Sequence, residues 1–375
     1  MNRAEVESAI LEAAAAGKLL IQPYLDWAKQ QKLPIVEDFA VDLLAVETAH
    51  SDRLGVPACL VHLKGRGDWA NVVVTELPPG ARTEPQGHLY EEVVYVLRGY
   101  GTTTVEGPDG REHTFDWGPR SLFGLPLNAR YRHVNASTSE SARIAAVTSL
   151  PLMLNVFHEE AFIFDNPGIF SSRFGDDKRF IGEGDFVSVA PGRHMWETNL
   201  VPDLANFEMP EWQARGEGSR NLKIVLAEAT MHAHMSEMPV GTYKKGHRHG
   251  TDFHVFTVDG HGYSLLWYEG DDDFARIDWR HGVVYAPADQ QFHQHFNTSS
   301  RPTRYLAVAY GGLRYPFTEE RRRHFLSGVD KSVADGGLQI DYADEDPRIR
   351  ELYVSELARR GIECAMPPVD PRPAP

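Results

Sequence analysis

The pattern of apolar and polar positions changes period along this chain. Residues 4–16 (Ala-Glu-Val-Glu-Ser-Ala-Ile-Leu-Glu-Ala-Ala-Ala-Ala) are strong helix formers that stop at Gly17. A second short helix is expected over 24–31, with Pro34 ending it. From about Val61 the period becomes two. β-Branched runs at 71–77, 93–97 and 102–105 are cut by Pro78-Pro-Gly80, Arg98-Gly99-Tyr-Gly101 and Gly107-Pro-Asp-Gly110. Short strands with Gly/Pro turns at this spacing predict an all-β fold of sandwich or barrel type. The rhythm is lost over 152–220, which Pro167, Pro191, Pro202 and Pro210 interrupt, and Arg215-Gly-Glu-Gly-Ser-Arg220 reads as an exposed boundary. Strands resume at 221, and 346–360 reads as a helix before a Pro-rich end that is expected to fray.

The two sets of strands repeat one another. Pro79-Gly80, Gln86-Gly-His88, Glu92 and Gly99 stand at the same intervals as Val240-Gly241, His247-Arg-His249, Phe253 and Gly260. Further on, Phe115-Asp-Trp117 matches Ile277-Asp-Trp279, and Tyr131-Arg-His133-Val-Asn135 matches His293-Gln-His295-Phe-Asn297, with the shift changed by one residue. Two copies of one barrel explain this. The expected division is a helical cap or subunit contact (1–55), a first barrel (56–151), an inter-barrel segment (152–220), a second barrel (221–315) and a helical tail (316–375).

Composition narrows the class. Hydrophobic content of 42% and aromatic content of 10% read as globular, and a formal charge of −15 without a basic run argues against nucleic acid. Glu319-Glu-Arg-Arg-Arg-His324 mixes signs and reads as a solvated helix face. Two distant cysteines, Cys59 and Cys364, fit a reducing cytosol. With no secretory signal and no apolar run of membrane length, a cytoplasmic protein with no membrane partner is expected.

The second copy concentrates histidines. On a strand every second side chain shares a face, so His247 and His249 point one way, as do Gln291, His293 and His295. If the two segments are neighbouring strands of one barrel, imidazoles converge inside it as in a first-row metal site. These motifs resemble the two signature motifs of the cupin superfamily, G-x5-H-x-H-x3–4-E-x6-G and P-x-G-x2-H-x3-N. The duplication makes the chain similar to a bicupin over about 61–147 and 221–309. The resemblance implies two tandem conical barrels of jelly-roll type, with metal held by His247, His249 and His293 and with Phe253 where a fourth ligand, usually Glu, stands. Asp252 and His254 fall on the opposite face.

Three neutral imidazoles without a carboxylate leave open positions for substrate and for O2 or water. The set resembles gentisate- and salicylate-type ring-cleaving dioxygenases, which use Fe(II), although there the histidines belong to the N-terminal barrel. The resemblance implies a homo-oligomeric (dimeric or tetrameric) Fe(II) dioxygenase acting with O2 on a hydroxylated aromatic or similar oxygen-chelating small molecule. The alternatives are a lyase, decarboxylase or isomerase using Mn, Ni or Zn, or a binding bicupin without catalysis. Manganese decarboxylases of the superfamily retain the Glu that is Phe253 here.

Around the three histidines, His295 is either an outer donor or acid/base group or a buried, hydrogen-bonded histidine. Gln291 and Tyr243 face inward by parity and either orient O2 or substrate or pack. By the same parity Lys245 faces inward to meet a substrate carboxylate, while Lys244 and Arg248 face outward. Arg304 is a further anion anchor, and Phe253 with Phe292 an apolar wall, with surface and packing roles as the alternatives. His232 and His234 are expected to be structural. In the first copy Gln86, His88, Glu92 and Tyr131 are a poor donor set, so that barrel is expected to be metal-free or at most weakly metal-binding, serving as scaffold and dimer surface. Glu91, Glu92, Tyr95 and His133 are its candidates for lining a pocket.

Overall fold

The strand Glu92–Arg98 shows why the apolar runs are so long. Val93, Tyr95 and Leu97 enter one core, while Val94 and Val96 enter another. A strand buried on both faces reads as a continuous apolar run rather than an alternation. In the second copy Phe256 and Val258 enter the first of these cores, and Val255 enters a third.

The computed structural model describes residues 3–250, 253–323, 325–326 and 330–369; Asp252 and His324 lie outside them. Each copy forms a large sheet and a three-stranded one. The first large sheet runs Ile35–Asp38, Pro57–Leu63, Asn71–Leu77, Ala142–Thr148, Glu92–Arg98, Leu122–Gly124, Leu200–Val201, with Ala49–His50 beside Pro57–Leu63. Its small partner is Tyr131–Asn135, Gly101–Glu106, Glu112–Trp117. The second large sheet runs Asp185–Ala190, Arg193–Thr198, Arg220–Leu226, Met231–Met238, Thr303–Tyr310, His254–Asp259, Val283–Tyr285, Ala40–Asp42. Its partner is Ala275–Arg280, His261–Trp267, Phe292–Asn297. The largest core lies between the two large sheets, where Val72 and Val93 share a cluster with Ile224 and Leu306. The barrels therefore stand back to back.

Two segments do more than the sequence suggested. The N-terminal region was expected to be a helical cap, yet Ile35–Asp38 joins the first barrel and Ala40–Asp42 the second. The inter-barrel segment gives Asp185–Ala190 and Arg193–Thr198 to the second sheet and Leu200–Val201 to the first. Asp185–Ala190 is an edge strand with no buried residue, so it lacks the apolar alternation that marks a strand.

The expected helices form as Arg3–Ala15, Pro23–Gln30 and Pro347–Arg359. Arg3–Ala15 buries nothing, whereas Pro23–Gln30 places Tyr24 and Trp27 in a cluster with Leu150 and Leu154 beside the first barrel. Pro347–Arg359, capped by the Asp346 carboxylate, lays Ile349, Tyr353 and Leu357 on Tyr243, Tyr263 and Phe296. Among the described residues no helix is long and apolar enough to cross a membrane.

The duplication extends to hydrogen bonds. The Asn135 side-chain amide donates to Leu77, Pro78 and Glu140 carbonyls; that of Asn297 donates to Met238, Pro239 and Arg301. The Trp117 indole donates to Thr103 Oγ1, which bonds His133 Nδ1; the Trp279 indole donates to Ser264 Oγ, which bonds His295 Nδ1. Arg143 pairs with Glu76 and donates to three carbonyls; Arg304 pairs with Glu237 and donates to two.

Candidate metal centre

His247 and His293 are locked together by two backbone hydrogen bonds of 3.1 and 2.9 Å, which bring the segment before His254–Asp259 against the strand Phe292–Asn297. One ring nitrogen from each of His247, His249 and His293 lies within 4.8 Å of the others. The Nδ1 atoms of the three contact backbone carbonyls: Lys245 at 3.1 Å, Gly250 at 2.8 Å and Gln291 at 3.0 Å. A carbonyl only accepts, so each Nδ1 carries the proton and each Nε2 keeps its lone pair. Burial lowers His247 well below the ordinary histidine range and holds His293 at about 4, so both are neutral and ready to ligate at pH 7. The donor set fits a divalent first-row ion bound by three imidazoles.

The cluster opens on a cavity of about 290 Å³. Phe253 stands beside His249, ring centroids 3.9 Å apart, so an apolar ring borders the histidine cluster. The cavity wall is strongly cationic: Arg215, Lys223, Lys244 and Arg321 all line it, and among the described residues Asp289 is the one carboxylate that does. Aromatic rings back these cations, with Lys244 Nζ 5.3 Å from the Tyr305 ring, Lys223 Nζ 5.8 Å from Phe325 and the Arg321 guanidinium 4.7 Å from Phe253. Burial brings Lys223 down to about 7, aided by Arg215 and Arg321, and brings Lys244 well below its ordinary value.

Several residues singled out in the sequence lie elsewhere. Tyr243 points away from the cavity, donates to Glu345 and packs under the C-terminal helix, and Lys245 pairs with Asp341 at 2.8 Å. It is Lys244, expected to face outward, that lines the cavity. The parity argument required an unbroken strand, and the chain has no regular strand between Tyr243 and His247. Phe292 is buried away from the cavity, stacked on Trp267 with Arg248 above it. Gln291 Oε1 accepts from the Ala288 N–H and holds the turn before His293. Arg304 is the counterpart of Arg143, a clamp onto Glu237, Leu204 and Phe207, rather than an anion anchor. His295 bonds Ser264 at 2.8 Å and Tyr285 at 3.0 Å through Nδ1, and does not line the cavity. Of the remaining pair, His234 lines the cavity and His232 is buried outside it.

Sequence reasoning passed over the cation wall. Arg215 was placed in an exposed boundary, yet it is 8% exposed, and its Nη1 is buried without a hydrogen-bond partner. Arg321 was placed on a solvated helix face, yet it too is buried, donating to the Gly311 carbonyl at 3.3 Å. Isolated cations between turns leave no periodic signal. The Arg-Gly at 215–216, where Gly216 pairs with Lys244, was the available hint of close approach.

In the first barrel the equivalent positions are closed on themselves. His88 Nδ1 bonds the Tyr90 carbonyl at 2.9 Å and Nε2 meets the Tyr131 hydroxyl at 2.9 Å, with Glu92 3.4 Å away. The Gln86 amide donates to Arg53 and Glu84 carbonyls. Glu92, Tyr131 and His133 line a cavity of about 50 Å³, with Trp27 also in its wall. Tyr95 faces the inter-barrel core, and Glu91 accepts from Thr230 and Met231 N–H groups at the junction between barrels, so neither lines this cavity.

A model of the cupin domain matches residues 73–148. No curated protein matches the chain. Among solved structures, an oxalate decarboxylase of Lactobacillus farciminis in a formate complex aligns over 84% of this chain and 96% of its own, with 16% identity and a TM-score of 0.50. An oxalate decarboxylase of Bacillus subtilis, studied for its Mn(II) centres, aligns over 74% and 78%, with 16% identity and a TM-score of 0.47. At such identity the first likeness speaks for the fold. The match over 73–148 places a cupin domain in the first barrel, and the second barrel repeats its strand order and hydrogen-bond frame, so the chain has the two-barrel fold of a bicupin.

Proposed function

We propose that this bicupin is a metal-dependent lyase that removes a carboxylate from a small acid without consuming O2. The observation that carries the reading is the cation wall: Arg215, Lys223, Lys244 and Arg321 share one cavity with the three-histidine cluster. When a C–C bond to a carboxylate breaks, CO2 leaves and the electron pair stays on carbon, which then needs a proton. An ion held by His247, His249 and His293 would supply Lewis-acid polarisation of a substrate oxygen. Arg215, whose buried Nη1 lacks a partner, holds the acid group. Burial makes the Lys244 ammonium a stronger acid, and it delivers the proton to carbon and recovers one from solvent. The activity named for the Lactobacillus farciminis protein is of the same reaction class. The free thiols Cys59 and Cys364 fit a reducing cytosol, and exposed Phe157, Phe162, Ile169 and Phe170 offer a surface for a homo-oligomer.

A second reading, an Fe(II) dioxygenase for a hydroxylated aromatic, is favoured by Phe253, because three neutral imidazoles leave an ion both its full charge and room for O2. One measurement separates the two: CO2 release and O2 uptake by metal-loaded protein on a panel of carboxylic and hydroxybenzoic acids. The lyase releases CO2 under argon as fast as in air. Uptake of one O2 per substrate turned over would establish the dioxygenase instead.

A further inference from the structure

Resting on the lyase reading, we infer that the substrate carries a second carboxylate, separated from the scissile one by an apolar, ring-sized body. The backbone positions that carry the cavity's cations are spread along its wall. Lys223 pairs in register with His234, His234 with Ala307, and Ala307 with Val255. At ~4.8 Å per strand, Lys223 stands ~14 Å across the sheet from the strand that follows Phe253. The Arg321 guanidinium stands 4.7 Å from the Phe253 ring, and Arg215 and Lys244 line the same cavity. One carboxylate beside the histidines leaves the Lys223 end unmatched.

Charge gives the second argument. Arg215, Lys244 and Arg321 are buried and Lys223 is half-buried, and among the described residues Asp289 is the one carboxylate lining the cavity with them. Like charges held together are costly unless a counter-charge arrives with the ligand, and a monoanion answers only one of them. The third argument is shape. Trp69, Trp212, Phe253, Tyr305 and Phe325 line the same space, and its 290 Å³ approaches the lower end of cavities that hold drug-sized ligands (~300 Å³). A two-carbon diacid has no body to lay on five rings.

The test is binding of ortho-, meta- and para-benzenedicarboxylate, benzoate and oxalate by calorimetry. It uses the full-length chain, first metal-loaded and then after chelator treatment. At least one dicarboxylate should bind about tenfold more tightly than both benzoate and oxalate, equivalent to one added ion pair. The preference should survive metal removal and His249→Ala. Lys223→Met should reduce that dicarboxylate to the benzoate level, and Lys223→Arg should restore it. Equal affinity for benzoate and the best dicarboxylate in the wild-type chain overturns the inference, as does unchanged dicarboxylate affinity in Lys223→Met. The two readings fail separately. Dicarboxylate preference without CO2 release sinks the lyase alone, and CO2 release from a monoacid without such preference sinks the second carboxylate alone.

Discussion

His88 in the first barrel and His249 in the second stand at the same point of the internal repeat, and their neighbours set them apart. His88 Nε2 is taken by the Tyr131 hydroxyl, in a pocket of about 50 Å³ with Trp27 in its wall. His249 lies within ligand distance of His247 and His293 and opens on a space several times larger. Around both, the frame is unchanged: Trp117 and Trp279, Asn135 and Asn297, Arg143 and Arg304 repeat one another's bonds. Features present in both barrels are those the barrel needs to fold; features present in one mark its chemistry. By that rule His295, whose partner His133 makes the same hydroxyl contact, belongs to the frame.

The sharpest way to break the comparison is to exchange the effects of the paired histidines. His249→Ala should take bound metal from ~1 equivalent per chain to near zero by elemental analysis, while the melting temperature of the metal-free chain stays close to wild type. His88→Ala should leave metal content alone and destabilise by ~1–3 kcal/mol, because it strips buried Tyr131 and Glu92 of a partner. Metal loss in His88→Ala would place the site in the wrong barrel.

The clamps come next. Arg143→Met and Arg304→Met each leave two or more carbonyls without a donor, while Glu76 keeps Arg98 at 2.7 Å and Glu237 keeps Arg220 at 3.7 Å. Each should cost ~1–3 kcal/mol by urea unfolding, and similar losses in the two barrels are expected. A loss confined to substrate affinity in Arg304→Met would return Arg304 to the anion-anchor role.

Acid should expose the first barrel's own histidines. Burial holds His62 and His133 at about 4, whereas an unfolded histidine titrates near ~6.5. Below that pH the unfolded chain takes up protons the folded chain refuses, so stability is flat above pH 6.5 and falls towards pH 4. At pH 5 each group costs about 2 kcal/mol. Unfolding midpoints at pH 7.5 and 5 should differ by more than these two groups alone, because the buried histidines of the second barrel are lowered as well, and His62→Gln should remove about 2 kcal/mol of the loss.

The smallest effect tests the shared frame directly. Thr103→Val orphans the Trp117 indole N–H and His133 Nδ1, whereas Ser264→Ala orphans the Trp279 indole N–H and leaves His295 Nδ1 the Tyr285 hydroxyl; each should cost ~1–3 kcal/mol. A loss in stability from both, the Thr103 variant losing at least as much, supports the frame reading. A change in metal affinity with Ser264→Ala would show that His295 acts on the centre after all.

Much of this was legible in the order of residues. The repeat, the turns at Gly99 and Gly260, the three terminal helices, the three clustered histidines and the apolar residue at Phe253 are local patterns or intervals, and strand geometry converts intervals into facing side chains. Tertiary structure alone decided what stands opposite the three histidines. Parity named Lys245, and the irregular chain between Tyr243 and His247 turned Lys244 inward instead. Arg215 came from a supposed linker and Arg321 from a supposed solvated helix, because a buried cation is tolerated wherever the fold closes over it and has no spacing of its own. Strands at 35–42 and 185–201 were likewise hidden, since their pairing depends on sheet edges that exist only once both barrels are formed.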